Sequence, residues 1–282
     1  MVTSAEQIIT SEGSPACAAL SIAAVICAAG SSSRMGGVKK EYQKLNDDVT
    51  VLGSSVRVLA SIPSIEFIVI TIPVNTETAA RNALPPHVLA AGKPKILFVT
   101  GGDSRRASVF NALSLLASYN PCYVLIHDGA RPWINTSLVI NLIEAVIKYS
   151  AVIPLLPLTD TPKECGLVTN DECGLVTSVE CGVNSEEGGK EGKGKREERK
   201  EKREEGGVRF IERHLRRVDV GVAQTPQCFK FLEILDAHKK AAGIVDEEFT
   251  DDAEIWGRFN GKVAVIPGDP KNKKITYKED LY

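Results

Sequence analysis

The 282-residue sequence lacks the short signatures of several common nucleotide and metal sites. It contains neither G-x-x-x-x-G-K-[ST] nor G-x-G-x-x-G, which excludes a Walker P-loop and the dinucleotide-binding fingerprint. Its seven cysteines are odd in number and include no C-x-x-C pair, so we expect neither a zinc site nor a disulfide framework. This cysteine usage is typical of a reducing compartment and predicts a cytoplasmic location.

Long apolar runs and an excess of basic residues are also missing. No apolar run reaches the length of a membrane span, and no Lys or Arg precedes the apolar stretch 15–30, which argues against a signal peptide. We expect residues 1–20 to form a loose tail. The formal net charge is −2, so we expect neither a membrane nor a nucleic acid as partner. Any anion site must therefore be a local basic pocket.

One stretch, from Ala23 to Lys40, combines a strand-like apolar run with small residues and then cations. Small side chains let a ligand approach the backbone, whose free N–H groups form an anion-sized nest. Arg34 and Lys40 add full positive charges to that nest. The pattern indicates a polyphosphate site, and a tight strand-to-helix connection without a ligand is the open alternative.

Strand-like and helix-like segments alternate along the chain, which predicts a mostly parallel, three-layer α/β sheet with right-handed crossovers. The loops at 31–34, 101–103 and 128–131 leave three predicted strand ends, where ligands bind in such sheets. Thr250 is the expected N-cap of a late helix. The sequence predicts strands at 22–27, 67–72, 96–99, 123–126, 151–156, 263–266 and 272–276, helices at 51–62, 106–119, 137–149 and 231–242, and a loop at 224–229.

Residues 164–207 break this alternation. The hexapeptide Glu-Cys-Gly-Leu-Val-Thr at 164–169 recurs at 172–177, and residues 185–207 are Glu, Lys, Arg and Gly with a single Ser. Such a composition offers no apolar surface to bury. We therefore predict a single domain over 21–282 that carries a low-complexity insert at 164–207.

Seven motifs follow one another in the order known from one enzyme family. They are Ala28-Ala29-Gly30 with Arg34 and Lys40, Gly101-Gly102-Asp103-Ser104-Arg105 with Ser108, His127-Asp128-Gly129-Ala130-Arg131-Pro132, Asp160-Thr161-Pro162-Lys163, Gln224-Thr225-Pro226-Gln227, Thr250-Asp251-Asp252-Ala253 and Asn272-Lys273-Lys274-Ile275-Thr276. Together they resemble 2-C-methyl-D-erythritol 4-phosphate cytidylyltransferase, a family of non-mevalonate isoprenoid biosynthesis.

The resemblance implies a Rossmann-like nucleotidyltransferase fold with a protruding arm, which carries the insert and through which two copies form a homodimer. It implies transfer of a cytidylyl group from CTP to methylerythritol phosphate, with Mg²⁺ as the divalent cation. Two alternatives stay open at this point. One is a cytidylyltransferase for another polyol phosphate, such as ribitol 5-phosphate, and the other is a nucleotide-binding module without catalysis.

The resemblance also assigns residues. Arg34 and Lys40 would be catalytic, although the local sequence Lys39-Lys40-Glu41 departs from the family pattern and leaves Lys39 as the alternative lysine. The residues implied to bind the nucleotide are Ala28, Ala29, Gly30, Ser31, Gly102, Asp103, Ser108 and Asp128. Those implied to bind the acceptor are Asp128, Arg131, Thr161, Arg217, Thr250 and Lys274, and Asp128 would also lie near the metal.

Overall fold

The computed structural model describes residues 20–32, 35–46, 49–167, 209–244 and 249–281. These residues divide into two compact units. The first holds the described residues up to Leu156 and from Ala223 onward, and the second runs from Pro157 to Val222. The predicted tail at 1–20 lies outside the described residues except for Leu20, and so does Arg34.

The strands of the described chain are β1 (Ile22–Cys27), β2 (Ile65–Ile72), β3 (Lys95–Thr100), β4 (Tyr123–Asp128), β5 (Ala151–Pro157), β6 (Lys163–Leu167), β7 (Arg209–His214), β8 (Gly221–Ala223), β9 (Gln227–Lys230) and β10 (Ala264–Pro267). The main sheet of the first unit runs in the order β10-β5-β9-β4-β1-β2-β3. All neighbours along this order pair in parallel except β9, which is antiparallel to β4 and β5. The predicted mostly parallel sheet is confirmed.

The helices are α1 (Val51–Ala60), α2 (Glu77–Asn82), α3 (Pro86–Ala90), α4 (Arg105–Leu116), α5 (Thr136–Tyr149), α6 (Phe231–Ala242) and α7 (Asp252–Asn260). Side chains of β1 alternate between two separate apolar clusters. Ile26 belongs to the cluster that includes α1 and α5, whereas Val25 belongs to the cluster that includes α4, α6 and α7. Helices therefore cover both faces of the sheet, and the three-layer prediction is confirmed.

Two local predictions are wrong for one physical reason. Contacts with residues distant in sequence determine the backbone conformation of both segments. The expected loop at 224–229 contains most of β9, because Cys228 and Phe229 become fully buried between β4 and β5. The expected strand at 272–276 is irregular, and its Ile275 N–H donates to the Ala130 carbonyl at 2.8 Å.

The start of α7 needs a further correction. The N-cap of α7 is Asp251 rather than Thr250, and its carboxylate accepts the Glu254 N–H at 2.8 Å. Cys27, Cys165 and Cys228 are free thiols, whereas Cys122 is disulfide-bonded. In the described part of the chain, every helix is too short or too polar to cross a membrane.

The second unit is built on an antiparallel pair, β6 and β7. Glu164 and Arg213 form an ion pair across it at 2.7 Å, and the Arg217 guanidinium donates to the Thr159 carbonyl at 2.7 Å. Residues 164–167, the first of the predicted insert, belong to β6. The rest of the insert, from 168 to 207, lies outside the described residues. The single-domain arrangement with an arm stays a prediction.

Candidate functional site

A pocket of about 550 Å³ lies where the loops after β1, β3 and β4 meet. β1 and β4 are neighbours in the sheet. From β1 the strand order continues through β2 to β3 on one side, whereas β4 is followed by β9 and β5 on the other side. This is the switch point of the strand order, where open α/β sheets bind ligands outside the carboxyl ends of their strands. Nine residues implied by the resemblance line the pocket, namely Ala29, Gly30, Ser31, Lys40, Gly102, Asp103, Ser108, Asp128 and Lys274.

The loop after β1 presents backbone donors to this pocket. Within the described part of the chain, the N–H groups of Ala29, Gly30 and Ser31 make no hydrogen bond. The Ala28 N–H differs, because it donates to the backbone carbonyl and hydroxyl of Thr71 at 3.1 Å each. Ala28 is fully buried and is not among the residues that line the pocket. Unpaired N–H groups in a small-residue loop suit the oxygens of a phosphate chain.

The adjacent lysines Lys39 and Lys40 have different surroundings. The Lys39 ammonium donates to the Gly30 carbonyl and lies 3.4 Å from the buried Glu41 carboxylate. Burial lowers the pKa of Lys39, although Glu41 opposes that shift. Lys40 lines the pocket, and its ammonium donates to the Ile275 carbonyl at 2.8 Å. Lys39 thus stabilises the loop after β1, whereas Lys40 lines the pocket.

The loop after β3 forms one wall of the pocket and packs so closely against the β1 loop that only small residues fit between them. A Cβ at Gly101 would overlap the Cβ of Ala29 and lie 2.9 Å from the Ser108 hydroxyl. The Gly102 N–H donates to that hydroxyl at 3.0 Å, and the hydroxyl donates to the Ser104 carbonyl at 2.9 Å. Glycine at 101 is required because the β1 and β3 loops touch there. Gly102 and Ser108 both line the pocket, so these hydrogen bonds fix the β3 loop where it borders the pocket.

Asp128 is the last residue of β4, lines the pocket and is surrounded by cations. Its carboxylate lies 2.9 Å from the Lys274 ammonium, 3.4 Å from Arg105 Nε and 3.5 Å from Arg131 Nε. Burial by itself raises the pKa of Asp128, but the Arg105, Lys274 and Arg131 charges outweigh it and hold that pKa well below its usual range. Asp128 therefore stays ionised at neutral pH.

His127, beside Asp128, is a packed residue rather than a catalyst. It is fully buried, with its ring nitrogens 3.1 Å from the Thr225 hydroxyl and 3.1 Å from the Arg131 carbonyl. Burial lowers its pKa to about 4, so the ring is neutral at pH 7. The Thr225 hydroxyl also accepts the Asp128 N–H at 3.0 Å, which fixes the end of β4.

Other residues implied by the resemblance lie elsewhere. Arg131 supports Asp128 and donates to the Asn272 carbonyl at 2.9 Å, without lining the pocket. Thr250 is hydrogen-bonded through its N–H and hydroxyl to the Glu254 carboxylate. Thr161 and Arg217 belong to the second unit. Their roles in acceptor binding stay predictions.

Sequence reasoning missed the role of Arg105, which lines the pocket between Asp128 and Asp252. It also missed the burial of Asp252 and Asn272, which are both fully buried polar residues. All three occur within the quoted motifs, so the signal was present as residue identity. Their contacts were not predictable, because Arg105 and Asp252 are distant in sequence.

Comparison with known proteins identifies a family. Residues 22–178 and 203–282 match the family described as IspD, 2-C-methyl-D-erythritol 4-phosphate cytidylyltransferase. The chain belongs to this family. The predicted resemblance is confirmed. The match leaves out only residues 1–21 and residues 179–202, and the latter fall within the predicted insert.

Similar proteins include bifunctional IspD/IspF enzymes. That of Bartonella tribocorum is 32% identical over 265 residues, which are 93% of this chain and 55% of the relative. That of Brucella anthropi is 30% identical over 263 residues, which are 92% of this chain and 53% of the relative. The chain thus spans about half the length of the curated relatives it matches.

Solved structures support the fold. The 4-diphosphocytidyl-2C-methyl-D-erythritol synthase of Anaerococcus prevotii superposes with a TM-score of 0.67 at 24% identity, covering 93% of this chain and 92% of that one. The bifunctional IspDF of Campylobacter jejuni superposes with a TM-score of 0.61 at 23% identity, covering 93% of this chain and 53% of that one.

Proposed function

We propose that this IspD-family chain transfers the cytidylyl group of CTP to 2-C-methyl-D-erythritol 4-phosphate. The observation that carries the proposal is the meeting of three strand-end loops around one pocket, whose lining includes Lys40, Lys274 and loop residues with unpaired N–H groups. Family membership supports the choice of CTP and of the acceptor. The small side chains and backbone groups near Gly102 and Ser108 would suit a pyrimidine base.

In the proposed reaction, a phosphate oxygen of the acceptor attacks the α-phosphorus of CTP. A new P–O bond forms to the acceptor, the bond from the α-phosphorus to the bridging oxygen breaks, and pyrophosphate leaves with that electron pair. The attacking phosphate is already ionised at neutral pH, so no general base is needed. Positioning and charge stabilisation are the remaining tasks. Lys40 is the proposed cation at the reacting phosphate, together with Arg34 from outside the described residues.

A divalent cation such as Mg²⁺ fits the donor set of this pocket. The described residues contain no group of three or more His, Cys, Asp or Glu side chains arranged to hold a metal ion. Mg²⁺ usually needs only one or two protein carboxylates beside substrate phosphates, and Asp128 offers an ionised one. When bound, the ion would neutralise phosphate charge. Asp128 is the residue that would hold it.

Incubation of the purified chain with CTP, 2-C-methyl-D-erythritol 4-phosphate and MgCl₂ tests the proposal. We expect a CDP-linked product by mass spectrometry and an equal amount of pyrophosphate by a coupled assay. Parallel reactions replace CTP by ATP, GTP or UTP, and the acceptor by ribitol 5-phosphate. Faster transfer to ribitol 5-phosphate would favour the sibling activity, and binding of CTP without product would favour a non-catalytic module.

We further propose that two copies form a homodimer through the second unit, and that Thr161 and Arg217 serve the neighbouring copy's site. Phe210 and Ile211 on β7 are more than half and about half exposed, which leaves apolar area for a partner. Light scattering measures the mass. A cytoplasmic location also stays a prediction, which cell fractionation tests.

Subunit complementation tests the shared site. Lys40→Ala and Arg217→Ala chains are each expected to be inactive, and are then mixed under conditions that exchange subunits. About half of the dimers become mixed, and each mixed dimer keeps one intact site only if Arg217 acts across the two-fold interface. Activity near one quarter of wild type is then expected. No recovery in dimers that demonstrably exchange would place Arg217 in its own chain's site.

A further inference from the structure

Arg105 connects the pocket to a carboxylate inside the protein. It is the first residue of α4 and lines the pocket, where its Nε lies 3.4 Å from Asp128. Its Nη1 lies 2.8 Å from an oxygen of Asp252 on α7. The shorter contact is therefore to Asp252, the carboxylate that lies away from the pocket lining.

Asp252 is a buried charge with few partners. Its side chain is 0% exposed, and its other oxygen accepts a hydrogen bond from Nε2 of His238, which is also 0% exposed, at 3.2 Å. A carboxylate inside a protein is costly unless a cation or hydrogen bonds compensate it. Burial by itself raises the pKa of Asp252, but Arg105 and His238 bring it below its usual value. Asp252 is ionised and depends on Arg105.

The ion pair with Asp252 constrains Arg105 from inside the protein, because Asp252 does not line the pocket. An arginine held only by the 3.4 Å contact to Asp128 would keep several rotamers, whereas two carboxylates on different nitrogens define one orientation. Asp252 itself is fixed, because it sits in the first turn of α7 and is hydrogen-bonded to α6 through His238. Residues on α6 and α7 therefore fix the orientation of Arg105, which lines the pocket.

We propose that Asp252, held by His238, is a positioning residue that anchors Arg105 and through it orients the Asp128 carboxylate for cytidylyl transfer. This proposal rests on the proposed function. Asp252 is not assigned contact with either substrate. Its loss is expected to affect turnover more than nucleotide affinity, because the backbone donors of the β1 loop and the wall at Gly102 are left intact.

The first test compares two neighbouring carboxylates at the start of α7. Asp252→Asn keeps the shape and removes the charge, and we expect kcat to fall by roughly 10- to 100-fold, the cost of a misplacement of about 1 Å near a reacting centre. KM for CTP should change by less than about 3-fold. Asp251→Asn is the matched control, because Asn also caps helices, and its kcat should stay within about 2-fold of wild type.

A double-mutant cycle tests whether Asp252 acts through Arg105. If Asp252 acts through Arg105, then Asp252→Asn added to Arg105→Gln should lower kcat by less than about 3-fold further. Multiplication of the two single losses would overturn the proposal, and so would a folded Asp252→Asn enzyme with wild-type kcat. Circular dichroism and thermal unfolding verify that each variant is folded.

A milder variant covers the case in which Asp252→Asn does not fold. His238→Gln keeps Asp252 and Arg105 and should lower kcat by roughly 3- to 10-fold, with that loss disappearing in the Arg105→Gln background. A loss that persists there would overturn the proposal, because His238 would then act by another route. Wild-type kcat in folded His238→Gln would likewise overturn the part assigned to His238.

A readout independent of catalysis separates this proposal from the proposed function. The Nε–H resonance of Arg105 is identified in the ¹H–¹⁵N spectrum by its loss in Arg105→Gln. The exchange of this Nε–H with water should become at least about 10-fold faster in Asp252→Asn than in wild type or Asp251→Asn. The reason is that a guanidinium released by Asp252 at Nη1 no longer holds its Nε–H against Asp128. Unchanged exchange would overturn the anchoring role even if the enzyme is active. Faster exchange in a chain that makes no CDP product would retain the anchor and reject only the proposed reaction.

Discussion

The loop after β1 and the loop after β4 line the same pocket, yet they hold their charged groups in different ways. On the β1 side, the ammonium of Lys40 donates to a neutral backbone carbonyl, that of Ile275. On the β4 side, Asp128 lies within 3.5 Å of three cationic side chains. The carbonyl fixes the position of the Lys40 ammonium, whereas charge-assisted contacts fix the Asp128 carboxylate.

The difference suggests a division of labour between the two sides. Under the proposed function, the Lys40 ammonium on the β1 side acts on oxygens on which negative charge develops, and such groups contribute most in the transition state. The compensated cluster on the β4 side is better suited to fix orientation. Substitutions on the two sides should therefore differ in size and in the kinetic constant they change.

Removal of the Lys40 ammonium should have the largest effect. We expect Lys40→Ala to lower kcat by about 10²- to 10³-fold, because a cation aimed at developing charge is lost. Steady-state kinetics with CTP and the acceptor measure it. Lys240→Ala, which removes an exposed ammonium on α6, is the control. A folded Lys40→Ala enzyme with unchanged kcat would show that the pocket does not use this lysine.

Neutralisation of Asp128 should have the next largest effect. Asp128→Asn keeps the shape but leaves Arg105, Arg131 and Lys274 without their shared anion, so we expect kcat to fall by about 10- to 100-fold. A titration with MgCl₂ should also show a higher concentration for half-maximal activity. Equal magnesium dependence in both enzymes would remove Asp128 from the metal site.

Loss of the neighbouring Lys39 should matter less than loss of Lys40. We expect Lys39→Met to raise KM for CTP by roughly 3- to 10-fold with little change in kcat, because the Gly30 carbonyl loses its brace. The variant also leaves Glu41 buried without its cation. Lys39→Met combined with Glu41→Gln should recover part of the lost thermal stability. A larger kcat loss than in Lys40→Ala would assign the catalytic role to Lys39.

Acidification should weaken the fold through His127 before the carboxylates respond. The pKa of this ring is lowered to about 4 by burial, so the unfolded chain binds more protons than the folded one between pH 6.5 and 4. Its contribution is fully present above pH 6.5 and is lost as the pH falls, by about 2 kcal/mol from pH 7 to 5. The lowered pKa of Asp128 acts only below about pH 4.

Urea unfolding at pH 7 and pH 5 measures this loss. The difference in unfolding free energy between the two pH values should shrink in His127→Gln, whatever the absolute stability of that variant. An equal difference in both proteins would mean that another group carries the pH dependence.

The smallest effect is expected from the charged tract at 185–207. Replacement of these residues by a short Gly/Ser turn should keep kcat within about 2-fold of wild type, because loop-closure free energy changes only slowly with loop length. Kinetics and light scattering are measured on the shortened chain. A large loss of activity in an intact dimer would show that the tract contacts substrate or controls access to it.

Sequence alone determined the layers of the fold and most of the pocket. Apolar runs placed β1 at its observed bounds, and helical spacing placed α6 at Phe231–Ala242. These signals are local, since strand and helix periodicity follow from residues close together in the chain. The polar loops after β1, β3 and β4 were predicted to meet for a similar reason, because the carboxyl ends of parallel strands share one edge.

Tertiary structure alone decided which charges pair and what each lysine contacts. Lys40 donates to Ile275, a residue 235 positions away, in a segment that was expected to be a strand. Arg105 is held between Asp128 and Asp252, whose partner His238 lies on a different helix. Contacts of this kind depend on how sheet and helices pack, and residue spacing along the chain carries no record of that packing.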